Sequence, residues 1–175
     1  MADDVWRWSA GRIAAAIARR EISAREAVAA CVGRMHAVNG AINAVTFDLS
    51  EQALALADEA DRAVRRGAAL GSLHGVPITI KENIDQAGAP TTNGVVAYRD
   101  AIAHEDHPVV ANLRKAGAIA IGRTNTPAFS MRLDTVNALR NDPMERACAI
   151  TRHGLDPAQW ALYVGDLPYQ EPCKA

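Results

Sequence analysis

The stretch Gly71-Ser-Leu-His-Gly-Val-Pro-Ile-Thr-Ile-Lys81-Glu-Asn-Ile-Asp85 decides the fold class. A turn rich in Gly and Pro leads into a run where Val76, Ile78 and Ile80 alternate with Pro77, Thr79 and Lys81. That is the period of a β-strand with one buried face. Seating the isoleucines in a core turns Thr79 and Lys81 to the other side, and a lysine stands at the strand's exit. Downstream, His107-Pro108 opens a helix through Lys115, with Pro suited to a first turn. Gly117 breaks that helix, and Ala118-Ile-Ala-Ile121 reads as a short buried strand ending at Gly122. Strand, crossover helix and strand form a βαβ unit, by rule parallel and right-handed. The class is α/β.

A helical pair precedes this unit. Val5, Trp8, Ile13 and Ile17 trace an imperfect stripe over residues 4–20, with Arg19 and Arg20 in the last turn where they suit the dipole. Ser23-Ala-Arg-Glu26 fits a capping box, and the helix it opens runs to about Val38 and closes at Asn39-Gly40. Asn43–Phe47 reads as a short strand. Ser50 then caps a helix carrying Leu54, Ala57, Ala60, Asp61 and Val64, which Gly67 ends. Residues 86–106, rich in Gly, Pro, Asn and Thr, read as loop. Beyond Asp142-Pro143 the pattern changes. Met144–Ile150 reads as a short helix, and Asp156–Tyr163 as a second with an Asp cap, Pro at its first position, and Trp160 and Tyr163 on one face. The expected division is 1–141 and 142–175.

The 175 residues are 49% apolar and 22% charged, which suits a folded domain of ordinary size. A net charge of −1 gives no electrostatic reason to expect nucleic acid or an anionic membrane as partner. Three cysteines, Cys31, Cys148 and Cys173, lack metal-ligand spacing and imply no disulfide framework. Cys31 falls in a helical pattern as a small buried apolar residue. The acidic start Met-Ala-Asp-Asp is unlike a signal peptide, and no apolar run reaches membrane-spanning length, so a cytoplasmic chain is expected.

On spacing alone, a lysine at a strand end is ordinarily a surface cation. The surrounding strings say more. Gly71–Asp85, Gly88-Ala-Pro-Thr-Thr-Asn-Gly94, His107–Ala118 and Ile121-Gly-Arg-Thr-Asn-Thr-Pro-Ala-Phe-Ser-Met-Arg132 together resemble the amidase signature family, the last being similar to that family's GRTNTPEFS line. The resemblance covers about residues 5–141. It implies the first part of a large mixed or parallel sheet, here incomplete, and a Ser–cis-Ser–Lys triad that cuts carboxamides. By it, Lys81 aligns with the catalytic lysine, which takes a proton from the serine of the cis peptide. That serine in turn activates the nucleophilic serine beside an oxyanion loop. A lysine is a base only when neutral, a state favoured by burial and nearby donors.

The family's serines are not found. The chain has five serines, and only Ser130 follows Lys81. Ser130 belongs to the segment before the nucleophile, where a helix-start cap is expected of it. In place of the family's Asn-Pro-Trp turn and Gly-Gly-Ser-Ser-Gly-Gly line, the chain reads Asn141-Asp-Pro-Met-Glu-Arg-Ala-Cys148. Neither triad serine has a counterpart, and loss of triad members costs orders of magnitude in rate. The expectation is an amidase-type chain inactive alone, acting on a small-molecule amide only if complemented.

Residues 144–173 resemble the short segment that closes bacterial WD40-repeat regulatory proteins, with Ala147-Cys148, Trp160, Tyr163, Pro168-Tyr169 and Cys173 in order. A fusion of two gene pieces accounts for this, a frameshift past Pro143 being the alternative. A partial sheet leaves edges unpaired, so marginal stability, self-association through those edges or dependence on a partner is expected. The rival reading is a non-catalytic interaction module using those edges or Trp160 and Tyr163. Among other candidates, His74, His104 and His107 are not at metal-ligand spacing and suit structural or solvent-facing roles. Cys148 and Cys173 show no Cys–His pairing, and Glu82 and Asp85 are read as holding Lys81 or facing water. No metal or cofactor is expected.

Overall fold

In the computed structural model, which describes residues 4–131, Ser23 starts the longest of the described helices as its capping box requires. The Ser23 hydroxyl accepts the Glu26 N–H at 3.0 Å, and the Glu26 carboxylate accepts the Ser23 N–H at 2.7 Å. Two further orphan donors of this first turn, the N–H groups of Ala24 and Arg25, go to Asp61 at 2.7 and 3.2 Å. Asp61 lies on another helix, so one carboxylate both caps and cross-links. The helix, α2, spans Ala24–Ile42 and passes through Asn39-Gly40, where the sequence places its end. Asn39 spends its side chain on the Val45 backbone instead, accepting from N–H at 2.8 Å and donating to C=O at 2.9 Å. The left-handed residue that stops the helix is Asn43, at φ 46°.

The first helical stripe divides in two. Val5–Arg7 is a 3₁₀ turn, and α1 covers Ala10–Ala18. The break falls at Ser9, whose hydroxyl accepts the Arg12 N–H at 3.3 Å and caps the second piece. After β1 (Val45–Asp48), α3 runs from Ser50 to Arg65, and Gly67 follows at φ 68°. Ser50 is inside this helix rather than its cap. The Asp48 carboxylate takes the Ser50 N–H at 2.8 Å.

Strand β2 is Pro77–Lys81, α4 is Pro108–Lys115 and β3 is Ile119–Thr124. The expected βαβ unit forms: β2 and β3 are parallel, and β1 joins β3 from the other side antiparallel, in the order β1-β3-β2. β3 continues past Gly122, because only a glycine lets β1 close in there. A Cβ at Gly122 would lie 2.7 Å from Val45 Cγ1. One face of the sheet carries Val76, Ile119 and Ile121 against Val5, Ile13, Ile17, Val28, Val32, Met35, Ala53 and Ala57. Each fully buried Val or Ile there contributes about 1.5–3 kcal/mol of transfer free energy. The chain is thus α/β with a small mixed sheet and four α-helices among the described residues. None of these helices is long and apolar enough to cross a membrane. The helices expected over Met144–Ile150 and Asp156–Tyr163, and Cys148, Trp160, Tyr163 and Cys173, fall outside the described residues.

Candidate active site

Lys81 stands where the alternation of β2 puts it. Ile80 is buried, Thr79 and Lys81 are exposed, and Lys81 pairs with Thr124 across the parallel ladder. Parallel strands deliver their C-terminal ends to one edge, the edge at which open α/β sheets hold ligands. A turn follows at once, the Ile84 N–H reaching back to the Lys81 carbonyl at 3.0 Å. Among the described residues no carboxylate or other partner engages the Lys81 side chain.

The two neighbouring acids do not hold the lysine. Glu82 turns into the protein, only 8% exposed, and accepts the Thr46 hydroxyl of β1 at 3.0 Å. Asp85 is exposed, and its backbone carbonyl accepts the His107 N–H at 3.0 Å. The residue that sequence reasoning missed is Arg123. It lies in the central strand with 0% exposure, donates to the Ile84 carbonyl at 2.8 Å and also donates to the Pro90 carbonyl. Burial pulls its pKa below the ordinary guanidinium value, while Glu82 and Asp85 act against that fall. The sequence reading ends this strand at Gly122 and so leaves Arg123 outside it, whereas β3 runs on to Thr124 and takes Arg123 into the sheet.

Ser130 is not a helix-start cap. It ends a 3₁₀ turn, Ala128–Ser130, at φ 57°, directly after Phe129 at φ 52°. Its hydroxyl accepts from the Asn83 amide at 2.9 Å and lies 3.0 Å from the Thr126 hydroxyl. The Asn93 carbonyl accepts the Phe129 N–H at 2.8 Å, and a Cβ at Gly94 would meet the Thr126 carbonyl at 2.4 Å. The fold therefore gathers three separate strings, at 81–83, 91–94 and 126–130, around the exit of β2. An open groove of about 690 Å³ bounded by Asp85, Thr91, Asn93, Tyr98 and Ile102 shares Thr91 and Asn93 with this set.

A serine, a histidine and an aspartate also meet elsewhere. His36 Nε2 is 2.7 Å from Asp48 Oδ2 and 3.2 Å from Ser50 Oγ, and the Ser50 hydroxyl donates to Asp48. In a hydrolytic triad the carboxylate and the serine occupy opposite ring nitrogens. Here both share Nε2, which makes this the capped start of α3 and not a nucleophile. Burial would raise the Asp48 carboxyl, but hydrogen bonds from Ser50 and His36 bring it below the usual range. The remaining histidines go separate ways. His74 Nε2 is 3.0 Å from the Ala60 carbonyl, His107 Nδ1 accepts the Val109 N–H at 3.2 Å, and His104 is exposed.

Compared with known families, residues 26–158 match the amidase family, a span covering most of the chain. This chain belongs to the amidase family. The match reaches beyond residue 141, to which the resemblance read from the sequence extends. The indoleacetamide hydrolase of Bradyrhizobium diazoefficiens is 58% identical over 135 residues, which are 77% of this chain and 26% of that protein. The acylamidase of Rhodococcus erythropolis is 42% identical over 119 residues, 68% of this chain and 25% of that one. Among solved structures, a fatty acid amide hydrolase superimposes with a TM-score of 0.72 at 29% identity, covering 76% of this chain and 24% of its own. This amidase chain thus spans about a quarter of the length of the relatives it matches.

Proposed function

We propose that this chain carries the lysine part of an amide-hydrolysing site, with Lys81 as the general base, and that it is inactive by itself. Supporting the reading is the placement of Lys81 at the C-terminal edge of two parallel strands, exposed and engaged by no carboxylate among the described residues. The burial that a neutral lysine needs would come with the segment bearing the serines. In that assembly Lys81 takes a proton through one serine from the other. The second serine's oxygen bonds to the amide carbon, the C–N bond breaks, and the proton leaves on the nitrogen. Water then releases the carboxylate, so a carboxamide yields an acid and ammonia or an amine.

Aryl-acetamides are the first substrates to try, given the likeness to an indoleacetamide hydrolase. Residues 142–175 are read as an appended tail, supported by the ordered Ala147-Cys148, Trp160, Tyr163, Pro168-Tyr169 and Cys173. The decisive assay follows ammonia release from indole-3-acetamide and other carboxamides by the purified chain. No release above that of a Lys81→Ala variant is expected. Release that survives Lys81→Ala would remove Lys81 from its role.

A further inference from the structure

We infer that Arg123 is a positioning residue for Lys81, its guanidinium fixing the segment by which Lys81 leaves the sheet. The inference rests on the reading of Lys81 as the functional amine. Arg123 pairs with Ile80 across the ladder, one position before the Lys81–Thr124 pair. From there its side chain spans two carbonyls, Ile84 and Pro90, both within the loop that Lys81 opens. A planar fork can hold two acceptors at fixed spacing, which a lysine ammonium cannot copy. Glu82, the first residue of that loop, is tied to Thr46 of β1 and through its own N–H to the Thr124 carbonyl at 2.9 Å. Burying these charges is expensive, and an apolar core of the same volume would serve stability as well or better. A device that costs stability and whose hydrogen bonds, among the described residues, go to the exit loop of β2 is explained by what that loop positions.

The test uses the full chain and its three lysines, Lys81, Lys115 and Lys174. Competitive labelling with acetic anhydride across pH, read by peptide mass spectrometry, gives the reactivity of Lys81 relative to Lys115. Arg123→Lys keeps a cation without the two-carbonyl grip, and Arg123→Met removes both. In either variant that stays folded, the relative reactivity of Lys81 should change by about twofold or more, as expected for residues of one network. Hydrogen exchange should quicken at the Ile84 and Ala89 amides and not within α2. Unchanged Lys81 labelling in a folded variant overturns the inference. So does complete unfolding of both variants, which would make Arg123 a residue of the fold alone. Amide turnover is not read, so this outcome is independent of whether Lys81 proves to be the base.

Discussion

A methyl group added at Gly33, inside α2, meets no atom within 4 Å, whereas one added at Gly71 would lie 2.2 Å from the Ala116 carbonyl oxygen. Gly33→Ala should therefore stabilise by about 0.5–1 kcal/mol, by reducing the freedom of the unfolded chain. Gly71→Ala should cost about 1–3 kcal/mol, because backbone has to move. Urea midpoints of the two variants check both signs. Glu26 gives a pH dependence. Hydrogen bonds from the Ser23 backbone and hydroxyl hold its carboxyl below the usual range. Its folded pKa is depressed, so its contribution is complete above the unfolded value of about 4.3 and is lost as pH falls through the lower folded one. The stability gap between wild type and Glu26→Gln should be open at pH 6 and shrink as pH falls below about 4. A gap that does not change with pH would show that the charge of Glu26 is immaterial to the cap.

At the scale of elements, α1 is short and cannot stand without its apolar face. Ile17 is 1% exposed, and a Cβ at Gly75 would lie 2.9 Å from its Cδ1. Ile17→Ala should cost about 2–5 kcal/mol, seen as an earlier urea midpoint with the slope unchanged. The elements legible in the sequence are those set by near neighbours. The Ser23–Glu26 box spans three positions, the Ile78–Ile80 alternation two, and Pro108 follows directly on His107. What the sequence hid is long-range. Asn39 looks like a helix stop until Val45 claims its side chain, and the stripe over residues 4–20 looks continuous until the Ser9 hydroxyl caps α1 within it. Asp61 caps a helix 37 positions away, and Arg123 reaches carbonyls 33 and 39 positions back. At the site, the strand-end position of Lys81 followed from alternation. The inward turn of Glu82 and the meeting of Ser130 with Asn83 depend on β1 and on the return of the chain after β3.

For the molecule as a whole, the order β1-β3-β2 leaves β1 and β2 at the edges of the described sheet. Unpaired edges invite strand addition. Sedimentation equilibrium should show a mass that rises with concentration, and a monomer at every concentration would mean that these edges are protected. The proposed function is framed by the length of the match, since the matched relatives are about four times longer than the shared span. The most direct test mixes the purified chain with the complementary, serine-bearing remainder of an amidase relative and follows hydrolysis of a carboxamide. Neither piece alone should turn over the amide, the mixture should, and that turnover should vanish when the chain carries Lys81→Ala. Equal turnover with Lys81→Ala, or full activity of the chain by itself, would contradict the assignment of Lys81 as the base of an incomplete site.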